Sequence, residues 1–70
     1  MTNTSIINEL KNYQWHYLGS CACSEPMDKL SKDKYTLKIS RRKDVWNLFV
    51  NGKVVNYGNS ADLIEKIKTL

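Results

Sequence analysis

The chain has 70 residues, of which 41% are hydrophobic and 26% charged, and it carries a formal net charge of +4. These values exclude an intrinsically disordered chain, which lacks the apolar residues to form a core, and no apolar run nears the roughly 20 residues of a membrane-spanning helix. The length suits one small domain spanning residues 1–70, and a domain of that size buries only about 60% of the surface its unfolded chain exposes.

The N-terminal stretch MTNTSIINELK has no basic segment leading into an apolar one, so the expectation is a cytoplasmic protein with reduced cysteines. TSIINELKNY sets Ile6, Ile7, Leu10 and Tyr13 at helical spacing. It predicts an amphipathic helix with Thr4 or Ser5 as its N-cap. The next stretch, QWHYLGSCACS, fits two conformations. As a helix it continues that stripe through Tyr17 and Leu18 and stops at Gly19. As a strand it puts Trp15, Tyr17, Cys21 and Cys23 on one side and His16, Leu18 and Ala22 on the other. Its aromatic content favours the strand, short and at a sheet edge. SEPMDKLSKDK, with Pro26 and mixed charge, reads as a long loop.

KYTLKIS alternates Tyr35, Leu37 and Ile39 against Thr36, Lys38 and Ser40, the period of a half-buried strand. Farther on, Asn51-Gly52 is a strong hairpin signal, because both central residues of the tight turn need positive φ. If that pair is the turn, Val50 faces Lys53, Phe49 faces Val54, Leu48 faces Val55 and Trp46 faces Tyr57. If Arg41–Asp44 is a second turn, Ile39 faces Trp46, Leu37 faces Leu48 and Tyr35 faces Val50. The two turns agree in placing Tyr35, Leu37, Ile39, Trp46, Leu48, Val50, Val55 and Tyr57 on one face, which a slip of one residue would scatter. NSADLIEKIKTL then predicts a second helix, capped by Asn59 or Ser60, with Leu63, Ile64, Ile67 and Leu70 on one stripe and Asp62 in its first turn. The predicted fold is α+β: an N-terminal helix, an antiparallel meander of three strands (four if QWHYLGSCACS pairs) and a C-terminal helix. Both helices pack on one sheet face, and Ile7, Leu10, Leu63, Ile64 and Ile67 complete the core.

Three groups of residues carry candidate chemistry. His16, Cys21 and Cys23 form H-x4-C-x-C, the residue types of a structural zinc site. Four ligands are usual, so Glu25, Asp28 or a second subunit would have to supply the last. A Cys21–Cys23 disulfide needs a strained turn, and a redox pair prefers C-x-x-C at a helix start. The second group is the open sheet face. It presents Asn47, Phe49, Val54 and Asn56 as an apolar spot with a polar rim, the anatomy of a protein-binding surface. The third is basic: Lys38, Arg41, Arg42 and Lys43 cluster about the first hairpin tip and suit nucleic-acid phosphates.

No acid–base, nucleophile or phosphate-cradling constellation is present in the sequence, so no enzymatic activity is expected. Lysine far outnumbers arginine and asparagine is abundant, usage that fits an AT-rich bacterial, phage or mobile-element genome. The reading placed first, by elimination, is a small accessory protein that contacts another protein or itself through the open face. Nucleic-acid binding through the basic tip and a zinc-stabilised module are its alternatives.

Overall fold

The Asn51-Gly52 pair turns the chain as its residue types require: φ is 53° at Asn51 and 80° at Gly52, in the left-handed region that glycine and asparagine tolerate best. It is one connection of a sheet with more strands than its sequence pattern suggests. In the computed structural model of the chain, residues 3–21 and 26–68 are described, the side chains of Asn3 and Cys21 excepted. The order is α1 (Asn3–Lys11), β1 (His16–Cys21), β2 (Met27–Lys32), β3 (Tyr35–Ser40), β4 (Val45–Val50), β5 (Lys53–Asn59) and α2 (Ser60–Ile67). The five strands form one antiparallel sheet in sequential order, with β1 and β5 at its edges. The fold is α+β as expected, with five strands rather than three or four.

One cluster makes the core. Ile6, Ile7 and Leu10 of α1 and Leu63 and Ile67 of α2 pack with Trp15, Leu30, Leu37, Ile39, Trp46 and Leu48. Both helices therefore cover the same sheet face. The β3–β4 register is the predicted one, with Tyr35 opposite Val50, Leu37 opposite Leu48 and Ile39 opposite Trp46.

The β4–β5 register departs from expectation past its first two pairs. Val50 faces Lys53 and Phe49 faces Val54, as predicted. Then the register shifts, and Leu48 faces Asn56, Asn47 faces Tyr57 and Trp46 faces Gly58. Val55 is the extra residue of a β-bulge, which reverses inside and outside for the rest of the strand. Val55 and Tyr57, expected in the core, are 55% and 70% exposed. Asn56, expected on the open face, sits at a core-side register position. The approach is close here: a Cβ on Gly58 would lie 3.1 Å from Cζ2 of Trp46, so a larger residue opposite the indole would need the ring to give by a few tenths of an ångström. Trp46 also donates its indole N–H to the Asn59 carbonyl at 2.7 Å.

The stretch expected to be a loop contains β2. Asp28 and Leu30 are buried while Lys29 is exposed, so the alternation of a strand is present. A carboxylate stands in one of its two buried positions, and the apolar pattern is lost. Within QWHYLGSCACS, His16–Cys21 form the edge strand β1, and it too is bulged. The pairing shifts between Tyr17 and Gly19, and Gly19 has φ 106°, a value costly for any residue with a Cβ. Past this point the sides swap, so that Cys21 occupies a register position opposite Met27 on the sheet side that His16 shares.

The helix caps agree with expectation at α2 and depart from it at α1. Thr4 and Ser5 lie inside α1, not at its cap. After α1, Gln14 takes a left-handed φ of 69° and the Trp15 N–H reaches back to the Leu10 carbonyl at 3.2 Å, which turns the chain into β1. Asn59 is the N-cap of α2 by backbone geometry, without a capping side-chain hydrogen bond. Beyond the ends of these short helices Tyr35 and Val50 are only half-buried, beside a depression of about 380 Å³.

Two substitutions test this register by urea unfolding. Leu48→Ala should cost about 2–5 kcal/mol, as a buried large-to-small change. Gly58→Ala should cost about 1 kcal/mol or more despite the lost glycine freedom, because the new methyl overpacks against Trp46. A neutral Gly58→Ala would mean that the indole yields by the few tenths of an ångström the methyl needs, and that space at Gly58 does not fix the bulge.

Candidate functional site

The sheet face away from the helices is lined by the outward residues of the strands. On β4 and β5 these are Val45, Asn47 and Phe49, and Val54 and Tyr57. Val45, Val54 and Tyr57 are 43%, 50% and 70% exposed. Phe49 is half-buried between Thr36 and Val54, its cross-strand partners, and Lys38 Nζ lies 4.9 Å from its ring centroid. Asn47 sits between Lys38 and Tyr57. The result is an apolar surface that runs from Phe49 and Val54 past Tyr57, opposite Asn47, to Val45, with Lys38 beside Phe49. It exceeds the two-residue spot of Phe49 and Val54 that alternation alone suggests, because the bulge adds Tyr57.

Charge is sorted between the two faces. The charged strand residues at outward register positions are Lys29 and Lys38, which pair with each other across β2 and β3. Asp28 is the acidic residue of the described strands, and it points to the helix side, opposite Ile39. Asp28 is fully buried. Its Oδ1 accepts from Tyr17 Oη at 2.8 Å and from Arg41 Nη2 at 3.0 Å, and its Oδ2 accepts from Arg41 Nε at 3.1 Å. Hydrogen bonding and the charge of Asp28 raise the Arg41 pKa above its ordinary value. Its side chain remains 51% exposed against 1% for Asp28.

The four basic residues singled out from the sequence therefore do not share one surface. Lys38 lies on the open face over Phe49. Arg41 turns to the helix side to meet Asp28, and the loop holds it there: Arg41 N–H donates to the Pro26 carbonyl at 3.1 Å and Lys43 N–H to Ser40 Oγ at 3.0 Å. Ser40, expected to be outward, is buried. Arg42 and Lys43 are exposed at the loop.

His16 and Cys21 begin and end β1, which at about 3.3 Å per residue separates their backbones by roughly 15 Å. Cys23 and Glu25 lie outside the described residues, and Asp28 faces the other side of the sheet. Among the described residues no group of three or more His, Cys, Asp or Glu is placed to hold a metal ion. No helix among them is long and apolar enough to cross a membrane.

Sequence reasoning weighed Asp28 only as a metal ligand, and it missed Tyr17 and Tyr57 as site residues. A signal existed for the first: Asp28 and Leu30 share strand parity. For Tyr57 the signal was Gly58, whose missing side chain marks a close approach. No protein-family model matches the chain, nor does any curated protein or solved structure.

Arg41→Ala should lower the melting temperature more than Arg42→Ala, although both remove one cation from the same loop. The first strands a buried carboxylate; the second does not. Parallel thermal unfolding by circular dichroism checks this, and equal losses would deny Asp28 its structural charge partner.

Proposed function

We propose that the protein is a small, non-enzymatic binding module that contacts another protein through the open face of its sheet, centred on Phe49, Val54, Asn47 and Tyr57. One observation carries this reading: Val45, Val54 and Tyr57 are 43–70% exposed around Phe49, on the face that neither helix covers. Exposed apolar side chains gathered on one face mark interaction sites more often than scattered ones do. Tyrosine beside an apolar centre and a polar rim has the composition of an interface hot spot.

The charges on this face favour a partner over a second copy. Its outward strand charges are Lys29 and Lys38, so a face-to-face pair of identical chains sets lysines against lysines. An apolar surface with an acidic rim complements it better. Single-stranded nucleic acid is the second reading, favoured by Lys38 over the Phe49 ring and by the exposed ring of Tyr57. Stacking and phosphate contact use such pairs.

The test is photo-crosslinking in the source cells, with benzoylphenylalanine introduced at Asn47 and, as control, at Glu65 on α2. The expected result is a discrete protein adduct from Asn47 only, lost in Phe49→Glu while the circular dichroism spectrum is retained. No discrete adduct, or one that survives Phe49→Glu, would overturn the proposal. An oligonucleotide bound at low salt and released steeply as salt rises would transfer the face to nucleic acid.

A further inference from the structure

On the helix side of the sheet, away from the face discussed above, a cleft of about 630 Å³ opens between α1, the β3–β4 loop and the start of α2. That volume lies within the range of small-molecule sites, about 300–1,000 Å³. Four cations line it, Lys11, Arg41, Arg42 and Lys43, against two carboxylates, Asp28 and Asp44. The wall therefore carries an excess of two positive charges. Thr4 and Ser60 add hydroxyl groups.

The floor is the buried ion pair. An aspartate occupies an inward strand position that the core would fill more cheaply with an apolar side chain. Replacing buried ion pairs by hydrophobic residues is often neutral or stabilising. Asp28 therefore adds little to stability that leucine could not supply. What it adds is direction. It holds the Arg41 guanidinium through Nε and Nη2, leaving three of the five guanidinium N–H groups unengaged by Asp28. Tyr17 bonds the same carboxylate at 2.8 Å, and Lys11 Nζ lies 5.9 Å from the Tyr17 ring centroid. One connected chain of contacts thus runs from Lys11 through Tyr17 and Asp28 to Arg41. A fork fixed before binding loses less freedom on meeting an anion than a free side chain does.

We propose that this cleft binds a dianionic small molecule of the phosphate-monoester class. Arg41 grips the anion, Asp28 and Tyr17 position Arg41, and Lys11 and Arg42 balance the second charge. The proposal is independent of the open sheet face, since Phe49 lies on the other side.

The experiment is an amide ¹H–¹⁵N titration of the full chain with phenyl phosphate at low salt, with acetate and sodium chloride in parallel. Saturable shifts are expected at Lys11, Arg41 and Arg42, at lower concentrations than acetate requires. Arg41→Lys keeps a cation beside Asp28 but removes the fork, and should weaken binding about tenfold, as the loss of one charge-assisted hydrogen bond does. Arg42→Gln, at an exposed position, should weaken it similarly and keeps the test open if the first variant does not fold. Phe49→Glu should leave phenyl phosphate binding unchanged. Linear, non-saturating shifts, shifts equal to those with chloride, or full affinity in Arg42→Gln would overturn the proposal.

Discussion

The indole of Trp46 sets the geometry of half the molecule. It is almost fully buried, and a buried indole N–H usually pairs with an acceptor. The acceptor is the carbonyl of Asn59, the last residue of β5 and the residue before α2. The ring lies flush against Gly58. These two contacts determine where the last strand ends and where the last helix starts. Counted back from the Asn51-Gly52 turn, they require one residue more than a regular hairpin supplies, and the bulge at Val55 provides it. The parity of β5 then reverses, and Tyr57 turns to the outside. The most exposed aromatic of the open face follows from the packing of a tryptophan on the other side of the sheet.

Asp28 has the corresponding role at the other end. A charge in the core position of β2 survives only because it is paired and hydrogen-bonded. Its partners come from β1 and from the β3–β4 loop, so the pair ties three connections together at one point. The arrangement separates the formal charges. The acidic group of the sheet faces the helices, and the outward lysines are left without a carboxylate among the strand residues beside them. A basic, partly apolar outer face and a cationic cleft on the helix side arise from that one burial.

The short helices complete this division. They cover the middle of one sheet face and leave its turn-proximal end, around Tyr35 and Val50, partly open. Among the described residues both helices lie on that one face, and the surface proposed for contact is the other, where the chemistry of the side chains, rather than the fold class, bears on function.

Much of this was legible in the sequence. The Arg41–Asp44 turn and the alternation of KYTLKIS determined β3, β4 and their register, and Asn51-Gly52 determined the first two pairs of β4 with β5. The stripes of Ile6, Ile7 and Leu10 and of Leu63 and Ile67 determined two helices on one side. These are local signals, carried by the period of the backbone and by the φ that a turn demands. The second half of β5 and all of β2 were decided only in three dimensions. A bulge depends on the size of the side chain across the ladder, here Trp46 against Gly58, and no period along one strand records it. Asp28 looked like a loop residue because its neutralising partner, Arg41, lies 13 residues away. The sequence placed apolar side chains on an outer face. Which ones, and which cations stand beside them, depended on contacts between strands.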